Sequence, residues 1–113
     1  MAWTQQRKFP RVKVNLPVEL RRPVNETPIR AQTADICMGG CYVEMSFTQD
    51  VSQEVEVVLW VGDNKIRAQG VVVSSHPSVG NGLKFTKMTP QDQARLKEYI
   101  DSIGSSSRLM GVN

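Results

Sequence analysis

Apolar and polar side chains alternate along the first part of the chain. In the segment 12–21, an apolar residue occupies every even position from Val12 to Leu20. A period of two predicts a strand with one buried face and one solvated face. Pro17 interrupts this strand and cannot donate a ladder hydrogen bond, which predicts an edge position or a bulge.

Further strand patterns follow, separated by residues that favour turns. The predicted strands span 29–34, 40–46, 54–61, 65–75 and 83–86. Gly62, Asp63 and Asn64 are turn-forming residues and predict a hairpin between two of these strands. About six short strands with frequent turns predict a mainly β domain, either a small antiparallel barrel or a sandwich.

A single helix is predicted after the last strand. Thr89 is a good N-cap, and Pro90 suits the first helical position. An apolar stripe at helical spacing requires burial against the sheet; it consists of Leu96, Tyr99, Ile100 and Ile103. Gly104 is expected to end the helix, and residues 105–113 are expected to form a flexible tail.

Length and charge narrow the picture. The chain has 113 residues, the size of one domain, and a net charge of +3. Residues 1–30 carry seven basic and two acidic side chains, or +5, whereas the remainder carries seven basic and nine acidic ones, or −2. This concentration of positive charge indicates either an anionic partner near the N-terminus or a solvated basic tail.

Several function classes find no support in the sequence. Two cysteines, Cys37 and Cys41, and one histidine, His76, are too few for a typical structural zinc site. No phosphate-binding loop or nucleophile motif is present, so neither an enzyme nor a metal or organic cofactor is expected. His76 precedes a proline and is interpreted as a loop residue. The sequence shows neither a secretory signal nor a long apolar run, which predicts a cytoplasmic protein without membrane insertion.

Two clusters carry candidate binding chemistry. The first is Arg7-Lys8-Phe9-Pro10-Arg11, where Pro10 disfavours a helix and favours an extended arm. Two guanidinium groups on such an arm can converge on a phosphate or on the N7/O6 edge of guanine.

The second cluster runs from Asp35 to Val43 and includes the glycine pair Gly39-Gly40. Paired glycines permit positive φ angles and close approach of the backbone to a ligand. The Asp35 carboxylate can accept hydrogen bonds from a guanine N1–H and N2–H. The alternative interpretation is an Asx turn, in which Asp35 accepts a hydrogen bond from its own backbone.

Together, Arg7-x-x-x-Arg11 and Asp35-x-Cys37-x-x-Gly40 resemble the two-part signature of the PilZ domain family. The strand after the arginines, the late Gly82-Leu83-Lys84-Phe85 segment and the final helix fit the same pattern, so the resemblance covers about residues 5–103. It implies a six-stranded antiparallel, split β-barrel with a C-terminal α-helix. It also implies a bacterial receptor for the second messenger cyclic di-GMP.

The resemblance also implies roles for individual residues. Arg7 and Arg11 would contact guanine edges and phosphates, and Asp35 would contact the Watson–Crick edge of a guanine. The remaining ligand-binding candidates are Lys8, Cys37, Gly39 and Gly40. Cys37 stands where the family usually has serine. Because a thiol is a weaker hydrogen-bond donor than a hydroxyl, we expect a loss of about 0.5–1.5 kcal/mol in the free energy of ligand binding. In the family, the residue just before the first arginine influences whether one ligand or a stacked pair binds, and Gln6 at this position leaves the number open.

We therefore predict a flexible basic arm at 1–11, a PilZ-like barrel with its helix at 12–104, and the tail at 105–113. The ligand is expected to order the arm and so create a surface for a downstream protein partner. Two alternatives are a ligand-blind PilZ-like protein-interaction adaptor and a barrel that binds single-stranded nucleic acid. A barrel that binds single-stranded nucleic acid requires exposed aromatic side chains. The chain has only two Trp, two Tyr and three Phe, and several of these are in predicted core positions, which argues against this alternative.

Overall fold

The computed structural model describes residues 11–22 and 27–111, with side chains as far as residue 103. Within these ranges the chain forms seven strands and one helix. They are β1 (Val12–Lys13), β2 (Pro17–Arg21), β3 (Ile29–Cys37), β4 (Gly40–Glu44), β5 (Glu54–Val61), β6 (Asn64–His76), β7 (Gly80–Lys87) and α1 (Pro90–Gly111). The predicted arm at 1–11 lies outside the described residues except for Arg11.

The strands form a closed antiparallel barrel. The sheet order is β1-β3-β2-β5-β6-β7-β4, and an additional pairing between β3 and β4 joins its ends. Six strands thus close the barrel, and β1 is an extra strand beside β3. This confirms the prediction of a mainly β, six-stranded antiparallel barrel with a C-terminal helix. The β5–β6 hairpin turns at Gly62, whose φ of 61° suits the first position of a type II′ turn.

The strand predicted over 12–21 is divided into β1 and β2, which both pair with β3. Lys13 lies opposite Asp35, whereas Pro17 lies opposite Gln32, so the pairing register shifts by one residue between them. The Thr33 hydroxyl stabilises this break because it donates to the Val14 carbonyl (2.6 Å) and accepts from the Leu16 N–H (2.9 Å). The irregularity predicted from Pro17 is therefore present, immediately before that residue.

The predicted alternation correctly identifies the interior. Leu16, Val18 and Leu20 point into the barrel and are buried, together with residues from the other strands and the helix. Glu19 departs from the pattern, because a solvated residue was expected and its side chain is only 6% exposed. Its carboxylate contacts Arg21 Nη2 at 2.8 Å and Arg30 Nε at 3.7 Å. These cations compensate for the removal of the charge from water.

Helix α1 begins as predicted and contacts β6 and β1. Thr89 is its N-cap, since the Thr89 hydroxyl accepts the Asp92 N–H at 3.1 Å. Leu96 and Ile100 are buried in the core. The predicted end at Gly104 is wrong, because the helix continues to Gly111. A glycine inside a helix costs about 1 kcal/mol relative to alanine, which a helix tolerates. No helix in the described ranges has the length and apolar character needed to cross a membrane.

Candidate functional site

The second motif forms a tight corner between two strands. Strand β3 ends at Cys37, Met38 and Gly39 make the turn, and Gly40 begins β4 opposite Cys37. Gly40 does not adopt the positive φ that the glycine pair permits. It is required by packing, because a Cβ there would collide with the Leu83 carbonyl oxygen on β7. The group that approaches Gly40 in the structure is a neighbouring strand, and the predicted approach of a ligand stays a prediction.

Strand β1 brings the last residue of the first motif to this corner. Val12 pairs with Ile36, so Arg11 extends β1 alongside Cys37. Arg11 Nη2 donates to Asp35 Oδ1 at 2.8 Å, and Arg11 Nη1 lies 3.9 Å from Cys37 Sγ. Three predicted site residues from the two separate motifs therefore meet on the barrel surface. We call Arg11, Asp35, Cys37, Gly39 and Gly40 the binding corner.

The Arg11–Asp35 pair is charged and accessible. The side chains are 40% and 28% exposed, respectively. Partial burial acts to lower the pKa of Arg11, but the hydrogen bond and charge of Asp35 outweigh this and raise it. An ion pair this exposed contributes about 0–1 kcal/mol to stability. Both groups can therefore exchange this contact for a ligand at small cost to the fold.

Cys37 helps to shape the turn. Its Sγ accepts the Gly39 N–H at 3.3 Å, and the residue is only 4% exposed. The Asp35 carboxylate accepts its hydrogen bond from Arg11, not from its own backbone as the alternative Asx turn would require. Cys41 lies opposite Ile36 on the inner side of the hairpin, where burial raises the pKa of its thiol to about 12. Both cysteines are free.

Two predicted ligand-binding residues, Arg7 and Lys8, lie outside the described residues. The contribution of the arm before Arg11 therefore stays a prediction. Gly39, in contrast, occupies the turn itself, and its carbonyl accepts the Phe85 N–H at 2.8 Å. This bond ties the corner to β7, the strand of the late glycine-containing segment.

A polar pair beside the corner escaped the sequence analysis. Tyr42 lies opposite Asp35 in the β3–β4 register, and its hydroxyl is 3.0 Å from His76 Nδ1. The interpretation of His76 as a loop residue is wrong, because it is the last residue of β6. The long β6 strand extends past the predicted end at 75. Tyr42 lies between Cys41 and Val43, which face inward. Because successive side chains of a strand point to opposite faces, this position was the available signal that Tyr42 faces outward.

Comparison with known proteins assigns the family. The model of the PilZ domain matches residues 5–102. The chain therefore belongs to the PilZ domain family. No curated protein sequence matches it.

Solved structures share the fold at low sequence identity. The inhibitor of motility MotI/DgrA from Bacillus subtilis aligns with a TM-score of 0.78 and 17% identity, covering 89% of this chain and 52% of that one. The PilZ domain of YcgR from Escherichia coli, solved with c-di-GMP, gives 0.74 and 11%, covering 96% and 99%. The MrkH–c-di-GMP complex of K. pneumonia gives 0.74 and 17%, covering 89% and 52%. This chain thus spans about half of MotI/DgrA and MrkH.

Proposed function

We propose that this protein is a bacterial, cytoplasmic receptor for cyclic di-GMP that binds its ligand at the binding corner. Family membership and the fold shared with c-di-GMP-bound domains support the choice of ligand. The observation that carries the proposal is the 2.8 Å contact between Arg11 and Asp35 beside the Cys37–Gly40 turn. Both side chains are partly exposed and can turn to a ligand.

Each side chain at the corner has a chemical counterpart on the ligand. The Arg11 guanidinium is a planar donor that matches a phosphate or the N7/O6 edge of guanine. The Asp35 carboxylate accepts hydrogen bonds and matches the guanine N1–H and N2–H. The Cys37 thiol adds a weak polar contact, and Gly39 and Gly40 leave the turn without side chains. Arg7 and Lys8 would supply further positive charge from the preceding arm.

Signalling would follow from ordering of that arm. A doubly anionic ligand neutralises repulsion among the basic side chains of residues 7–11 and holds them against the barrel. The ordered arm then presents a surface that a downstream protein partner can recognise. Neither an enzymatic reaction nor a cofactor is part of this mechanism.

One observation favours a second candidate, the ligand-blind adaptor. Cys37 Sγ already accepts the Gly39 N–H and is almost fully buried. If the serine of the family must contact the ligand, this position cannot replace it well. The protein would then use the same barrel only to bind another protein.

Calorimetric titration with cyclic di-GMP separates the two candidates. We expect saturable binding to the wild type and no comparable binding of a linear diguanylate. Arg11→Ala and Asp35→Ala should each weaken binding about 10- to 100-fold, because a bidentate guanine contact contributes about 1–3 kcal/mol. Arg95→Ala and Asp101→Ala are matched controls, since each removes one partner of a helix ion pair outside the site. Absence of binding to the wild type would contradict the receptor and leave the adaptor.

A further inference from the structure

An outward-facing row of residues extends from the binding corner across four strands. The pairing register aligns Asp35 on β3 with Tyr42 on β4, then Gly82 on β7 and Ser74 on β6. Neighbouring strands are about 4.8 Å apart, so the row is about 14 Å long. β-bulges interrupt the ladder near both ends, between Thr33 and Asp35 and between Val72 and Ser74. Bulges of this kind re-aim side chains next to functional sites.

The Tyr42 ring leaves this row diagonally and lies over the next one, in which Gly80 pairs with Glu44 and His76. Its hydroxyl reaches His76 on β6, so the side chain spans the intervening strand β7. Beneath it lies Gly80, where a Cβ would come within 2.8 Å of Tyr42 Cε2. Glycine at position 80 therefore allows the ring to lie close to the β7 backbone, and the side chain remains partly exposed.

One hydrogen bond and one ring contact, both with His76, position the Tyr42 ring. Burial, with the negative charges of Asp35 and Glu44, raises the pKa of Tyr42, so its hydroxyl stays protonated and can donate. The Tyr42 hydroxyl donates to His76 Nδ1 in the tautomer that leaves this nitrogen without a proton. The two rings are tilted by 40° with centroids 5.8 Å apart. His76 thus acts as a positioning residue for Tyr42.

Beside the ring, strand β7 places a glycine, Gly82, in register with Tyr42. Gly82 has no side chain, and a Cβ there would strike the Ser74 hydroxyl. Asp35 stands directly across from Tyr42, at the Cα separation of about 4.5–5.5 Å that is normal for antiparallel pairs. A planar base whose edge meets the Asp35 carboxylate from the β4 side has its ring above β4 and can extend towards the Tyr42 ring, which lies over β7.

We propose that Tyr42 is the stacking platform for the guanine base that Asp35 contacts, and that His76 holds Tyr42 in place. This inference rests on the proposed function. Stacking tolerates any base because every base has a π-face, whereas the carboxylate selects guanine. Tyr42 therefore contributes affinity, and Asp35 contributes specificity.

Titration of Tyr42 variants with cyclic di-GMP tests the proposal. We expect Tyr42→Ala to weaken binding about 10- to 100-fold, as loss of one base–aromatic stack does. Tyr42→Phe keeps the ring and should stay within about fivefold of wild type, and His76→Ala should show a similarly small loss. The matched control is Phe47→Ala, which removes an aromatic side chain that is 88% exposed on the β4–β5 loop and should change nothing.

A second pair of variants separates stacking from simple surface coverage. Tyr42→Trp should bind about as tightly as the wild type, and the ligand should quench the fluorescence of the added tryptophan. Tyr42→Leu should bind as weakly as Tyr42→Ala. Thermal unfolding of each variant establishes that it is folded. Equal affinity of Tyr42→Leu and wild type would overturn the stacking proposal and leave the receptor intact. Failure of the wild type to bind would instead overturn the proposed function.

Discussion

Two carboxylate–arginine pairs lie on the outer side of the barrel and differ in their surroundings. Among the residues that the structure describes, Asp35 has one arginine partner, and its side chain is 28% exposed next to the short strand β1. Glu19 lies on β2 between β3 and β5, is 6% exposed, and contacts both Arg21 and Arg30. The chemical groups are the same, and the arginines are exposed in both, but the sheet buries the Glu19 carboxylate and leaves the Asp35 carboxylate accessible at its margin.

This difference separates a binding group from a structural one. An exposed ion pair contributes little to stability because water and salt screen it, so its partners can be exchanged. A buried carboxylate is removed from water, so contacts with arginine must compensate for the lost hydration of its charge. Charge alone therefore does not identify a site, whereas a charged pair that remains accessible at a strand margin is a good candidate.

The largest contrast is expected from truncation of the enclosed carboxylate. Glu19→Ala should lower the free energy of unfolding by about 1.5–3 kcal/mol, since it removes charge-assisted hydrogen bonds from a buried position. Affinity for cyclic di-GMP should remain unchanged. Chemical denaturation and calorimetry measure the two quantities. Glu98→Ala, at an exposed helix position, serves as the control and should stay within about 0.5 kcal/mol. A weakened ligand affinity without lost stability would reverse the assigned roles.

The sequence predicted the interior of the barrel better than it predicted its outer face. Alternation identified Leu16, Val18 and Leu20 as core residues because every second side chain of a strand faces inward. The same rule assigned Glu19 to solvent. Its burial depends on arginines from β2 and β3, and no local pattern reports which side chains meet across strands.

A smaller effect is expected from the cysteine in the binding corner. Cys37→Ser should tighten cyclic di-GMP binding about 2- to 10-fold, because a hydroxyl donates a stronger hydrogen bond than a thiol and can still accept the Gly39 N–H. Calorimetry provides the affinity. Cys41→Ser is the matched control, since it places the same hydroxyl in the core and should lower stability without improving affinity. Identical affinities for Cys37→Ser and wild type would show that position 37 does not contact the ligand.

The smallest effect concerns salt. At about 0.05 M salt, Asp35→Ala should reduce the free energy of unfolding by at most about 1 kcal/mol, and this loss should vanish near 0.5 M, where exposed charges are screened. The loss from Glu19→Ala should persist at both concentrations. Denaturation curves at the two salt concentrations test this. A salt-insensitive Asp35→Ala loss would mean that Asp35, too, is a structural residue.

The candidate site was predictable in its residues but not in its geometry. The spacing of Arg11, Asp35 and Cys37 resembles a family signature, and the structure brings these three side chains together. Their alignment depends on the one-residue register shift that Thr33 stabilises. The contact between Tyr42 and His76 depends on Gly80, which lies on a third strand. Such contacts between distant segments leave only weak signals in a single sequence.

The most direct test follows individual amide resonances by NMR during titration with cyclic di-GMP. Saturable shifts are predicted for Gly39, Gly40 and Tyr42 at the binding corner and beside it. The amides of Glu19 and Arg30, at the ion pair of the buried carboxylate, are predicted to stay unchanged. Unperturbed Gly39 and Gly40 amides under saturating ligand, or shifts centred on Glu19, would contradict a ligand site built by Arg11 and Asp35.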